Sequence, residues 1–291
     1  ALFNFHEHGF RHVRDQGPWP SDRQFFNIYF FGGSTTVHVG PDWAAIPSRL
    51  QEELAAHGAF DKPVRVYNFG CGSFFSTQER ILFEQLLLDG AVPDMAVFLD
   101  GVNDFYFFDG RPAIAGFFKH ALDMHNRAND ESRRNKTAAD PKWALLGEFF
   151  WSLPSSRLLE VIGERRASKT AAAGEILYRP ERVDPQTLVP AMDRYFGNKR
   201  QIESLCREYG VQPLFVVQPT PAYKYDLKYH ITLNRHFGLG GHERSGTGYE
   251  LMAERLAGLP SDPALLWLAD IQEKEQQPLY LDNMHYTAGF G

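Results

Sequence analysis

Short apolar runs and amphipathic stretches alternate along the first hundred residues. Asn27 to Phe31 (NIYFF) is an apolar run ending in Gly32-Gly33, which predicts a buried strand feeding a tight turn. Asp42 can then cap a helix in which Trp43, Ile46, Leu50 and Leu54 share one face and which Gly58 closes. Val64 to Phe69 (VRVYNF) predicts a second strand followed by a Gly/Ser turn. Ser76 to Leu88 follows as a helix with Ile81, Leu82, Gln85 and Leu88 at helical spacing, and Met95 to Leu99 (MAVFL) as a third strand. The pattern resumes with a helix from about Met192 to Tyr209, ended by Gly210, and a strand from Pro213 to Val217. A smaller loop to Ser245, a helix to about Leu256 and a strand from Leu265 to Leu268 complete it. Strands alternating with helices predict an α/β protein: a three-layer α/β/α sandwich around a central parallel five-stranded sheet, flavodoxin-like in appearance. A ligand of such a sheet sits outside the C-terminal ends of its strands, so the residues just after each strand are the ones to inspect.

Between Phe105 and about Val189 the alternation stops. This stretch is polar in its middle (NRANDESRRNK) and aromatic at its ends, with FYFF at Phe105 to Phe108 and Trp143, Phe149, Phe150 and Trp151 further on. A structureless loop of that length does not suit a compact domain, so short helices forming a cap are expected, inserted into one domain spanning 1–291. Because the insertion leaves from the end of strand three, Phe105 and Tyr106 are candidates for the rim of a substrate pocket; the alternative is that these rings pack in the core. Asn135-Lys136-Thr137 is a formal glycosylation sequon in the polar part.

Composition narrows the function classes. The 43% hydrophobic and 23% charged residues are ordinary for a globular protein, and the net charge of −6 provides no basic field for nucleic acid or an anionic membrane. No segment reaches the roughly 18 consecutive apolar residues of a membrane span. Cys71 and Cys206 form no disulfide framework and no metal spacing; whether they pair is a matter of geometry. His6, His8 and His12 lack coherent ligand spacing and are expected to be solvated or packed, and no metal or organic cofactor is implied. The chain opens at Ala1 rather than Met, which suggests trimming of the natural protein.

Four post-strand segments carry the chemistry: Gly32-Gly33-Ser34-Thr35, Asn68-Phe69-Gly70-Cys71-Gly72-Ser73, Gly101-Val102-Asn103-Asp104 and, near the end, Asp282-Asn283-Met284-His285. A serine becomes a nucleophile when a base takes its proton and a third group holds the base. His285 can be that base for Ser34, and Asp282, three residues earlier, can accept the proton on the other ring nitrogen. The oxyanion needs donors: Asn103 offers a side-chain amide, while Ser34 and the turn after strand two offer backbone N–H groups. Neither a Walker phosphate loop nor the Gly-x-Ser-x-Gly elbow is present.

Gly33-Ser34, Gly101-x-Asn103-Asp104 and Asp282-x-x-His285, in this order, resemble the motif blocks of the SGNH hydrolases, also called GDSL esterases and lipases. The resemblance implies an SGNH hydrolase fold, catalytic Ser34, His285 and Asp282, an oxyanion hole containing Ser34 and Asn103, and cleavage of an oxygen ester through an acyl-enzyme. Two blocks depart from the pattern. The first reads Gly-Gly-Ser-Thr-Thr, which resembles bacterial members acting on cell-envelope or polysaccharide acyl groups. In the second, relatives run Asn-x-Gly-x-x-Gly, and the fifth residue after Asn68 is Ser73; either the Ser73 N–H replaces that of the final Gly, or Gly72 shifts into its place. The expected substrate is a small-molecule or glycan ester. Two rivals stay open: an O-acetyltransferase using the same triad with a sugar hydroxyl as acceptor, and a catalytically silent glycan-binding module. The resemblance favours an extracytoplasmic location, with a cytoplasmic one open, and oligomeric state is not legible.

Overall fold

The structure is a computed structural model that describes residues 4–38, 40–58, 60–109, 183–233 and 238–291. The chain divides into two units, Ala1–Phe117 with Tyr178–Gly291, and Phe118–Leu177. The second unit lies outside the described residues, as do the Trp143–Trp151 cluster, the sequon and hence most of the expected cap.

Five parallel strands form the sheet of the first unit: β1 (Phe26–Gly32), β2 (Val64–Asn68), β3 (Met95–Asp100), β4 (Gln212–Val217) and β5 (Leu265–Trp267). Their order is β2-β1-β3-β4-β5, so the chain steps one way from β1 to β2 and the other way to β3. The crevice between the C-terminal ends of β1 and β3 is therefore the switch point at which such sheets bind ligands.

Strand residues alternate between two apolar layers. Ile28, Phe30, Val64, Val66, Val97, Leu99 and Val216 face α2 (Ile46–His57), which contributes Ile46, Leu50 and Leu54. Tyr29, Phe31, Tyr67, Phe69, Ala96, Phe98 and Phe215 face α3 (Ser76–Leu88) and α5 (Val189–Tyr209). On that second face a row of phenylalanines crosses four strands, with Phe31–Phe69, Phe31–Phe98 and Phe98–Phe215 centroids 5.5, 4.9 and 5.4 Å apart. Each such pair is worth about 0.5–1.5 kcal/mol beyond the area it buries. Helices thus cover both faces, the three-layer sandwich expected from the sequence.

The structure corrects two helix readings. Asp42 does not cap α2. It lies in a separate 3₁₀ turn, Asp42–Ala44, where its carboxylate is taken up by Asn4 and Arg11; Trp43 is largely exposed and off the face formed by Ile46, Leu50 and Leu54. In α3 the buried side runs through Glu79, Phe83 and Leu87, whereas Ile81 and Leu88 are exposed. Two polar residues on the buried face, Gln78 and Glu79, hid that face from hydrophobic periodicity. Two short helices complete the site's surroundings: α1 (Ser34–Val37) directly after β1 and α4 (Val102–Tyr106) directly after β3, with α6 (Glu243–Ala257) packed on α4. The described residues as far as Asp109, and again from Val183, belong to this unit, so both ends of the expected 105–189 insertion are part of the sandwich.

Candidate active site

Ser34 is the first residue of α1, at the C-terminal end of β1. Its Oγ lies 2.8 Å from His285 Nε2, and His285 Nδ1 lies 2.7 Å from Asp282 Oδ2. The other Asp282 oxygen accepts the backbone N–H groups of Met284 and His285 at 2.9 and 2.8 Å, so one four-residue turn holds both carboxylate and base. Burial pushes the Asp282 carboxyl up, but the hydrogen bonds from the His285 ring and from the two backbone N–H groups outweigh it and bring its pKa to about 2. Asp282 is therefore an anion across the physiological range, and an Nδ1–H on His285 leaves Nε2 to accept a proton from Ser34.

Sequence reading missed a network that ties the segment carrying Ser34 to the segment carrying His285. Thr35 Oγ1 donates to Gln218 Oε1 at 2.7 Å, and the Tyr286 hydroxyl lies 3.0 Å from the same oxygen and 2.7 Å from Pro219 O. All three side chains are buried, and Thr35 and Tyr286 are the chain neighbours of Ser34 and His285. Gln218 follows β4 directly, so the one available signal was its position after a strand. Arg11 was missed as well. Fully buried, it donates to His38 O (2.6 Å) and Gly40 O (2.7 Å) and pairs with Asp42 (3.0 Å), clamping the segment that leaves α1.

On the opposite side of Ser34 two loops meet. Asn103 Nδ2 donates to Phe74 O at 2.7 Å, which fixes the amide and leaves its second hydrogen for another acceptor. A Cβ on Gly33 would collide with Asn103 Nδ2 and come within 3.2 Å of Phe74 O, so glycine lets the Asn103 amide approach the backbone beside the nucleophile. Asn68 ties the β2 turn to α1 through Nδ2 to Thr36 O (3.0 Å), and its Oδ1 accepts the Gly70 N–H at 2.9 Å. In that turn Ser73, not Gly72, takes the left-handed conformation, with φ of 65°. A serine there stores about 1–3 kcal/mol of strain, the conformation glycine adopts freely.

The structure corrects one pocket residue. Phe105 is wholly buried, its ring against Gly248 and 6.1 Å from Tyr249 in the core formed by α4, α5 and α6, because a helix leaving β3 must bury one face. Tyr106, half-buried, stacks on His242 at 4.4 Å. His242 is deeply buried, which lowers its pKa to about 4, and His285 and Asp282 are among the charged groups acting on it. Cys71 and Cys206 are both free thiols, and His6 stacks on Phe10 at 4.5 Å. Among the described residues no group of three His, Cys, Asp or Glu side chains is placed to hold a metal, and no helix is long and apolar enough to cross a membrane.

No family model and no curated protein matches this sequence. Among solved structures the chain is similar to the acetyl xylan esterase AlAXEase, with 13% identity over 90% of this chain and 92% of that one and a TM-score of 0.42. It is also similar to the lipase Lip_vut3 from a goat rumen metagenome (11% identity, 91% of each chain, TM-score 0.44). A third likeness is to LAE5, an alpha/beta hydrolase enzyme from the metagenome of Lake Arreo, Spain (13%, 91% and 88%, TM-score 0.38).

Proposed function

We propose that this chain is a serine esterase of the SGNH type, hydrolysing an oxygen ester through an acyl-enzyme. The observation that carries the reading is the unbroken Ser34–His285–Asp282 relay at 2.8 and 2.7 Å, assembled at the sheet's switch point from residues 251 positions apart. Ser34 Oγ attacks the ester carbonyl carbon while its proton passes to His285 Nε2. The oxyanion is received by the Asn103 amide and by the backbone N–H groups of Ser34 and Ser73. His285 returns the proton to the departing alcohol as the C–O bond breaks. Water, deprotonated by the same ring, then releases the acid and restores Ser34. Asp282 stays ionised throughout and stabilises the imidazolium. Tyr106 and His242 border the acyl or alcohol side of the substrate. The substrate is a small-molecule or glycan ester carrying an acyl or acetyl group, and a sugar hydroxyl in place of water would make the same acyl-enzyme an O-acetyltransferase.

The test is turnover of aryl acetate and of acetylated xylo-oligosaccharide by the wild type and by Ser34→Ala, with and without unacetylated oligosaccharide as acceptor. Ser34-dependent release of acetate supports hydrolysis. Ser34-dependent appearance of acetyl groups on the acceptor replaces it with transfer. Hydrolysis that survives in Ser34→Ala overturns the assignment of the nucleophile.

A further inference from the structure

Beneath the Asn103 loop lie three carboxyl groups that the mechanism does not use. Glu79 on α3, Asp100 at the end of β3 and Asp104 on α4 are each at most 3% exposed. Their surroundings differ. Asp104 is well provided with donors: Ser76 Oγ at 2.5 Å, the Ser76 N–H at 3.5 Å and the Gly101 N–H, with the Arg194 guanidinium nearby. Among the described residues neither oxygen of Glu79 has an N–H or hydroxyl donor, and nor does Asp100 Oδ2; the hydrogen bond open to Glu79 is to the Asp100 carboxyl. The Tyr195 hydroxyl, itself buried and without a hydrogen-bond partner, borders the same group.

Two carboxylates facing each other away from water cannot both be ionised, because the repulsion adds to the desolvation of each. One proton is retained, and it makes the hydrogen bond. The location gives this bond a function. Asp100 opens the segment Asp100–Asp104 that carries Asn103, and Glu79 sits one helical turn behind the loop that carries Ser73 and Phe74. Two hydrogen bonds join these loops, Asn103 Nδ2 to Phe74 O and Ser76 Oγ to Asp104 Oδ1. Beside them the Glu79 and Asp100 carboxyls are buried, with oxygens that no N–H or hydroxyl among the described residues reaches. A bond between these two carboxyls forms only while one of them keeps its proton.

We propose that Glu79, by donating a hydrogen bond to Asp100, is a positioning residue for the Asn103 oxyanion donor. The proposal rests on the esterase reading for its kinetic consequence but not for its thermodynamic one. Glutamine also donates, so Glu79→Gln preserves the link, whereas Glu79→Ala removes it and lets the Asn103 segment drift. A misplacement on the ångström scale costs about a hundredfold in rate. The groups facing the pair are Asp104 from α4, Cys71 from the β2 turn, Tyr195 from α5 and Tyr249 from α6, with Arg194 facing Asp104. None of the four that face the pair among the described residues is a cation, so none of them relieves the repulsion at high pH. Because the native pair keeps a proton that the unfolded chain releases above about pH 4.3, native stability must fall as pH rises beyond that value, toward about tenfold in the folding equilibrium per pH unit.

The experiment pairs two readouts on the full chain. Ester turnover is measured for the wild type, Glu79→Gln and Glu79→Ala, and urea unfolding of the wild type and Glu79→Gln is followed from pH 5 to 9. The expected result is that Glu79→Gln keeps turnover within about threefold, that Glu79→Ala loses about ten- to a hundredfold in kcat with little change in KM, and that Glu79→Gln flattens the decline of stability with pH. If Glu79→Ala fails to fold, the glutamine variant still decides. Loss of turnover in Glu79→Gln equal to that of the nucleophile variant, or a pH–stability slope unchanged in Glu79→Gln, overturns the proposal. A wild type without Ser34-dependent turnover, but with the flattened slope in Glu79→Gln, would instead count against the esterase reading alone.

Discussion

Ser34 stands between two regions that treat carboxyl groups in opposite ways. On the His285 side a single carboxylate, Asp282, is half exposed, receives three hydrogen bonds and is held ionised to about pH 2. On the Asn103 side three carboxyls are buried, and burial first, then mutual repulsion, pushes Glu79 and Asp100 well above the usual carboxylate range. The contrast follows from what each side must do. A base that takes and returns protons needs a permanent anion behind it and access to solvent. A donor that waits for an oxyanion needs a rigid support in which a retained proton limits the negative charge near the developing one. The same residue type meets both needs because environment, not chemistry, decides its charge.

The comparison can be broken most severely from the His285 side. Ser34→Ala or His285→Ala should reduce ester turnover by roughly three to six orders of magnitude while leaving thermal stability nearly unchanged, since triad members act as a unit. Steady-state kinetics beside a melting curve checks both halves. Asp282→Asn keeps the shape of the relay but not the charge, and should lower kcat by roughly two to four orders. On the other side, Asn103→Ala should lower kcat about 10²–10³-fold, or about 2.7–4 kcal/mol, with KM nearly constant; a change confined to KM would make Asn103 a substrate-positioning residue.

Further along α4 the contrast is between neighbours. Phe105→Ala should cost about 3–5 kcal/mol of stability and leave acyl preference alone, because its ring fills the core. Tyr106→Ala should cost far less stability and shift the ratio of rates on short and long acyl esters, which parallel assays of acetate and octanoate esters would show. The smallest effect is the pH dependence of Asp282. Its native pKa of about 2 lies below the roughly 3.9 of an unfolded aspartate, so its contribution is present above pH 4 and lost as pH falls towards 2. The stability gap between wild type and Asp282→Asn should therefore close in acid, opposite in sign to the decline with rising pH expected from the Glu79–Asp100 pair.

How much of this the sequence revealed divides along the same line. The strands, the helix ends at Gly58 and Gly210, and the three groups of the relay were all legible. Apolar runs, left-handed glycines and an Asp-x-x-His turn are each encoded within a few neighbouring residues. The buried carboxyls were not. Glu79 interrupts an apolar helical face, and periodicity counts it as polar and therefore exposed, which moved the expected face of α3 to Ile81 and Leu88. Arg11 and the Thr35–Gln218–Tyr286 network escaped for a related reason, since their partners lie 27 to 183 positions away and no local pattern records them. Phe105 was misplaced because an aromatic at the start of an insertion reads equally as rim or as core. Local sequence cannot supply the Gly248 surface that receives it.

Everything above turns on Ser34 being a nucleophile activated by His285. Incubation with a fluorophosphonate followed by peptide mass spectrometry tests it without knowledge of the natural ester. One stoichiometric phosphonyl adduct is expected on the peptide containing Ser34, slowed strongly in His285→Ala and absent in Ser34→Ala. A wild type that takes up no adduct, as a silent glycan-binding module would, or an adduct that persists in Ser34→Ala, would contradict it.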